Sequence, residues 1–421
     1  MNLRQFVKGR GFNSHSPPTQ LINGTYNSTQ SFDFCPQRTA NGTEDCLYLG
    51  LYGRPWTRGQ PLKPVVVVYF GGGFIQGGGS FDIPPAGYPV LNVSTESDFI
   101  FVYPNYRVNA FGFLPGKEIA EDPYSDLNVG LLDQQYALEW VQKHISRFGG
   151  NPANVSIWGQ SAGAGSVVAQ VVANGGRTEP KLFNKALASS PFWPKTYSQA
   201  TREAKVNIDY GFGMYNLHEG ENFVPPGLQN VMNTASPGSP AYNSSLLSFE
   251  VWLKGYLPFM SPRHLGRVQQ LYPAVSSAEE LPLYNTTYVR AGQIYRDTVL
   301  ACPALWMAKA SHKHSYLGEY TIDPARHGSD TQWWNRVNVV QQTPGLDHFI
   351  YEGFAGAFAS FFETGDPNAY KVTNSSTPGV PELRLKNEDF VMDADGFDDV
   401  AVGHLETRCA FWRSVAGEIP I

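Results

Sequence analysis

Residues 154–174, NVSIWGQSAGAGSVVAQVVAN, restrict the fold more than any other stretch. NVSIWG reads as a strand and AGAGSVVAQVVAN as a helix, with only Gln160 and Ser161 between them. So sharp a turn favours glycine, and Gly159 and Gly163 carry no Cβ to clash in it. A strand that feeds a helix directly belongs to a parallel sheet with helices packed on its faces. The spacing Gly159-x-Ser161-x-Gly163 leaves two readings of the serine. Ser161 is a nucleophile lifted above the carboxyl edge of the sheet, or one small residue among several where a helix begins.

The flanking sequence extends the alternation. KPVVVVYF (63–70) is a β-branched run fit for a strand buried on both faces, and it ends in GGGFIQGGG (71–79). DFIFVYPNYR (98–107) is the next buried strand. From 131 the spacing turns helical, with Leu132, Tyr136 and Trp140 on one stripe beside Ala137 and Val141. KALASS (185–190) and HSYLGEYTI (314–322) read as strands, HFIYEGFAGAFASFF (348–362) as a helix, and a last helix starts near Arg408. Residues 220–295 are Pro-rich and mixed, and read as a mostly helical insertion over the sheet. No Gly/Ser linker divides the chain, so residues 1–421 are expected to form a single α/β domain.

Charged residues are only 16% of the chain and the formal net charge is −6, which disfavours a nucleic-acid partner. No apolar run reaches the roughly 18 residues of a transmembrane helix. The first residues lack the apolar core of a signal peptide. Yet eight Asn-x-Ser/Thr sequons stand at Asn23, Asn27, Asn41, Asn92, Asn154, Asn243, Asn285 and Asn374, as in an exported glycoprotein. The two cues are reconciled if the chain lacks its natural N-terminus, and an extracellular location is expected. Asn154 apart, these asparagines are the expected glycan sites. Four cysteines leave three pairings open.

A serine hydroxyl is a weak nucleophile by itself. It needs a histidine base, which in turn needs an orienting carboxylate. The Ala162 N–H, at the helix N-terminus, points where an oxyanion would form. FGGGF (70–74), after the valine strand, fits a second set of donors through Gly72 and Gly73. The other readings of these glycines are a loose turn or a phosphate loop. No Lys-Ser/Thr follows them, which disfavours the latter.

Several segments stand in one order: EDCLYLGLY (44–52), FGGGFIQGG (70–78), YRVNAFGFL (106–114), 128–167, HEGENF (218–223) and FFETGDPN (361–368). Together they make the chain resemble the type-B carboxylesterase/lipase family of α/β-hydrolases, which includes cholinesterases and fungal extracellular lipases. The sequons and composition are closer to the fungal members. The resemblance implies a central, mostly parallel sheet flanked by helices, and a catalytic triad of Ser161, Glu219 and His327. Glu221 is the second candidate for the acid and His404 the competitor for the base. It also implies disulfides Cys35–Cys46 and Cys302–Cys409, a small-molecule ester substrate, and neither metal nor organic cofactor.

The chain departs from the family in three places. The N-terminal strands are missing and GRGF stands at 9–12, so Glu44 is left without its usual arginine unless Arg10 replaces it. The segment between 190 and 216 is shortened, from which the loss of part of the acyl pocket and of one flank of the sheet is expected. Gln160 precedes the nucleophile where many relatives have Glu. Between Cys35 and Cys46 stand only PQRTANGTED, without an aromatic or large aliphatic side chain. Such a loop is neither a lipid lid nor a choline-stacking surface, although 220–260 is another segment that could supply a lid. The expected activity is hydrolysis of short-to-medium acyl esters through an acyl-enzyme. The rival readings are a non-catalytic cholinesterase-like adhesion or scaffold protein and an inactive truncated product.

Overall fold

A computed structural model describes residues 33–38, 40–79, 87–93, 97–191, 197–229, 248–273, 286–335, 346–369 and 377–419. Arg10, Asn23, Asn27, Asn243, Asn285 and Asn374 lie outside the described residues. Nine strands form one sheet: β1 (Leu49–Tyr52), β2 (Lys63–Tyr69), β3 (Ile100–Pro104), β4 (Gly150–Gln160), β5 (Lys185–Ser189), β6 (Tyr210–Asn216), β7 (His314–Tyr320), β8 (Glu388–Asp393) and β9 (Gly396–Ala401). Their spatial order is β1-β3-β2-β4-β5-β6-β7-β8-β9. The seven from β3 to β8 run parallel, and the two outermost strands are antiparallel to their neighbours.

The valine run of β2 is buried on both sides. Val65, Val67 and Tyr69 enter one apolar cluster, while Val66 and Val68 enter the other. The first cluster is closed by α1 (Val129–His144), α2 (Ala162–Gly176), α3 (Phe249–Tyr256), α4 (Thr287–Arg296) and α5 (Cys302–Ala310). The second is closed by α6 (Leu346–Thr364), whose Phe358, Phe361 and Phe362 pack around Trp158 and Phe212, with Phe354 against Phe358. α7 (Gly403–Ser414) returns to the first face, where Cys409 bonds Cys302; Cys35 bonds Cys46. Among the described residues no helix is long and apolar enough to cross a membrane.

Four sequence expectations need correction. The flank expected to be lost is present, because β6 pairs in parallel with β5 directly and the sheet continues to β9. Glu44 is solvent-exposed, so a missing arginine leaves no buried charge. The last helix begins at Gly403 rather than near Arg408. The stripe on α1 is rotated: Asp133 and Gln134 are buried while Leu132 and Tyr136 are half-buried. Polar partners account for the rotation. Both Asp133 oxygens accept from the Arg107 guanidinium at 2.7–2.8 Å, and the Gln134 amide donates to Ser166 at 2.8 Å.

The remaining sequons with described positions differ from one another. Asn41 and Asn92 are exposed. The Asn154 side chain is engaged, donating to the Glu363 carbonyl at 3.0 Å and accepting from the buried Lys185. Burial pushes the Lys185 ammonium down to about 7, against a smaller upward pull from Glu363.

Candidate active site

β4, β6 and β7 are parallel and in register, with Gln160 opposite Ser189, Ser189 opposite Met214 and Met214 opposite Gly318. Their following loops therefore leave the same carboxyl edge of the sheet, where open α/β folds bind ligands. Ser161 follows β4, Glu219 follows β6 and His327 follows β7.

The turn at Ser161 is tight enough to account for both flanking glycines. A Cβ on Gly159 would lie 2.3 Å from the Gly163 carbonyl carbon, and one on Gly163 would lie 2.0 Å from Tyr69 O. Ser161 itself has φ 58° and ψ −126°, a conformation that costs a non-glycine residue about 1–3 kcal/mol. Its N–H donates to Ser189 O at 3.0 Å and its carbonyl accepts from Gly165 N at 2.9 Å, which hold the strained residue at both ends.

The structure brings Ser161, His327 and Glu219 together. His327 Nε2 lies 2.7 Å from Ser161 Oγ, and its Nδ1 lies 3.1 Å from Glu219 Oε2. Glu219 is fully buried, and its other oxygen accepts from Asn216 N at 3.2 Å. With a carboxylate on Nδ1, the ring carries its proton there and presents Nε2 as the acceptor for the serine hydroxyl. Glu221, the second candidate for the acid, turns to His218 at 2.6 Å. His404 is exposed on α7 and does not join the group.

Four residues that the sequence did not single out support this group. The Asn222 side chain accepts from the His327 backbone N–H at 3.2 Å. The Phe223 ring meets the His327 ring edge-on at 5.0 Å. Asp330 is buried and accepts from Asn216 Nδ2 at 3.1 Å and Trp334 Nε1 at 3.0 Å. Burial raises the Asp330 carboxyl above the usual range, the two hydrogen bonds oppose this, and the Glu219 charge adds to the rise. Asn216 thus touches both carboxylates, through its backbone and its side chain. Asn222 and Asp330 lie within HEGENF and RHGSD, but only their folded neighbours reveal what they do. Gln160 Nε2 lies 3.4 Å from His327 Nε2.

The glycine loop after β2 packs against the nucleophile. A Cβ on Gly71 would lie 3.2 Å from Ser161 Cβ and 2.9 Å from Gln160 O. Gly72 and Gly73 have φ of 114° and 65°, and the Gly72 carbonyl accepts from Ile75 N and Gln76 N at 3.1 and 3.2 Å. Among the described residues no backbone acceptor takes the N–H of Gly72, Gly73 or Ala162. Those three N–H groups, in the loop that packs against Ser161 through Gly71 and at the start of α2, are thus left open to an incoming acceptor.

Known proteins similar to this chain include esterases and lipases. Residues 12–208 match the family model described as "Carboxylesterase family". The chain is 28% identical to "Carboxylesterase patB" of Aspergillus clavatus, over 94% of this chain and 80% of that protein. It is 41% identical to "Secreted lipase 1" of Botryotinia fuckeliana, over 37% of this chain and 27% of that one. In fold it is similar to the crystal structure of Aspergillus niger EstA, with TM-score 0.77 at 20% identity, over 98% of this chain and 92% of that one. The nine-stranded sheet is thus that of the α/β-hydrolase fold, and residues 12–208 carry the match to the carboxylesterase family.

Proposed function

We propose that the chain hydrolyses carboxylic esters through an acyl-enzyme on Ser161. The 2.7 Å approach of His327 Nε2 to Ser161 Oγ, with Glu219 behind it, carries the reading. The Ser161 oxygen adds to the ester carbonyl carbon while its proton passes to His327. Glu219 holds the imidazole and offsets the charge of the imidazolium. The N–H groups of Gly72, Gly73 and Ala162 receive the negative carbonyl oxygen. Collapse of the tetrahedral intermediate breaks the bond to the alcohol oxygen, which takes the proton from His327. Water then attacks the acyl-serine with His327 again as base, and the carboxylic acid leaves.

The proposed substrates are soluble, short-to-medium acyl esters. The loop between Cys35 and Cys46 carries no large apolar side chain, and its Gln37 is hydrogen-bonded to Gly77 rather than extended over an apolar groove. An extracellular location is proposed from the two disulfides, the exposed Asn41 and Asn92 sequons and the relative named as secreted.

A fluorophosphonate is expected to label Ser161 with one equivalent and to extinguish p-nitrophenyl butyrate hydrolysis in proportion. Label on another serine, or none, would overturn the assignment; the scaffold and inactive-product readings both require none. Across a p-nitrophenyl ester series, the rate is expected to rise smoothly through the solubility limit, with no preference for butyrylcholine. A sharp jump at the emulsion boundary would refute the lidless reading.

A further inference from the structure

The loop closed by Cys35–Cys46 grips the glycine loop through side-chain amides. Gln37 Oε1 accepts from Gly77 N at 2.8 Å, and Gln37 Nε2 donates to Gly77 O at 2.9 Å. This two-point pairing imitates one rung of a sheet, with a side chain in place of a strand. The same Nε2 donates to Cys35 O at 3.1 Å, which ties the amide to the disulfide. Asn105 works beside it: its Oδ1 accepts from Gly79 N at 2.8 Å and its Nδ2 donates to Cys46 O at 2.8 Å. Asn109 completes the attachment, with Nδ2 donating to Pro36 O at 2.8 Å and its backbone N–H to Phe74 O at 2.7 Å.

Gly77 cannot be replaced in this pairing. Its φ is 122°, and a Cβ there would lie 2.4 Å from the Phe70 ring. Phe70 in turn stacks on Tyr106, whose hydroxyl donates to Phe70 O at 2.5 Å. The loop is therefore fixed where it leaves β2 and again at Gly77 and Gly79, and Gly72 and Gly73 lie in the span between these anchors.

We infer that Gln37 is a positioning residue for the oxyanion donors. It sets the height of the 71–77 loop over Ser161, so that the Gly72 and Gly73 N–H groups meet the tetrahedral oxygen rather than the planar carbonyl. Its contribution is then made to the transition state and not to substrate binding. The inference rests on the proposed role of Gly72 and Gly73 as oxyanion donors.

The test compares wild type with Gln37→Met, Gln37→Glu and the neighbouring Arg38→Ala. For each, kcat and KM are measured on p-nitrophenyl butyrate, with inhibition by an alkyl trifluoromethyl ketone, which adds Ser161 as a tetrahedral hemiketal. Inhibition by the matching alkyl methyl ketone reports binding without that addition. Gln37→Met is expected to lower kcat about 10–100-fold, less than the full loss of a donor because the donors are displaced rather than removed. KM and methyl-ketone affinity stay within about twofold, and trifluoromethyl-ketone affinity falls in parallel with kcat. Arg38→Ala behaves as wild type. The carboxyl group introduced by Gln37→Glu faces two carbonyl oxygens, which favour its protonated form. A protonated carboxyl again offers one donor and one acceptor to Gly77. The variant's trifluoromethyl-ketone affinity, relative to wild type, is therefore expected to recover as the pH falls from 8 to 5. A loss appearing in KM or methyl-ketone affinity, an unchanged trifluoromethyl-ketone constant, or a pH-independent Gln37→Glu ratio would each overturn the inference. Should Gln37→Met fail to fold, the pH series on Gln37→Glu decides alone. Absence of fluorophosphonate label on wild-type Ser161 would instead remove the underlying reading, so the two failures are distinguishable.

Discussion

Replacing His327 with alanine is expected to lower kcat on p-nitrophenyl butyrate by about 10⁴–10⁶-fold, while KM changes little. The hydroxyl of Ser161 has Nε2 of His327 at 2.7 Å as its proton acceptor. Without it, the attacking oxygen must lose its proton to water, a far weaker base. Ser161→Ala should cost about as much. The double replacement should cost little more than either alone, because the serine and histidine act as one unit. Glu219→Gln belongs in the same series. An amide at this position can accept from Nδ1–H but can also present its NH₂ and select the wrong tautomer, for a loss of about 10⁴. His404→Ala is the control, since the exposed ring on α7 lies outside the triad. Steady-state kinetics on the four single variants and the double decide the matter. A His404 effect exceeding that of His327 would transfer the base to the C-terminal helix.

The largest expected effect on stability lies at a wholly buried carboxylate, Asp297. One oxygen of Asp297 accepts from Arg296 Nε at 2.9 Å, and the other accepts from Arg408 Nε at 2.5 Å and Tyr272 Oη at 2.7 Å. Arg296 also lies 3.5 Å from Glu319 and donates to Leu217 O at 3.3 Å, two residues before Glu219. Asp297→Ala leaves two buried guanidinium groups without the carboxylate between them. Losing one partner of a buried ion pair typically costs about 3–5 kcal/mol. Urea unfolding should show that loss as a lower midpoint, and the acid loop carrying Glu219 should lose activity with it. The wild-type pH dependence has a definite sign. Burial opposes ionisation of Asp297, but Arg408 and Arg296 outweigh it and hold the carboxyl below its usual range. Stability from this group is present above the unfolded value of about 3.9 and is lost as pH falls through the lower folded value. Asp297→Ala should therefore remove part of the acid limb of the unfolding curve. An unchanged urea midpoint would show that the cluster contributes no net stability.

The central strands were legible because burial on both faces writes itself as Val65–Val68, and the sharp turn at Ser161 because Gly159 and Gly163 flag a place that admits no Cβ. The disulfide partners, and the meeting of Ser161, Glu219 and His327, followed from ordered motifs in the family resemblance. The polar interior was not legible. Asp133 and Gln134 look like the wet side of a helix until Arg107 and Ser166 are folded against them. Asn154 stands in a sequon, and the sequence carries no mark of the Lys185 and Glu363 partners that occupy its amide. Asn216, Asn222 and Asp330 act through pairings between distant loops, and a linear pattern carries no mark of them. The loss of a sheet flank was inferred from a short connection, but a short crossover is enough when β5 and β6 are neighbours.

The bond from Cys302 to Cys409 joins positions 107 residues apart, and His327 lies inside the closed span while Ser161 and Glu219 lie outside it. The chain is thus topologically a ring carrying His327, attached to a tail carrying Ser161 and Glu219. A single proteolytic cut anywhere from 303 to 408 opens the ring without separating the pieces. Ser161, Glu219 and His327 then remain in one covalent molecule, held together through the Cys302–Cys409 bond over a quarter of the chain.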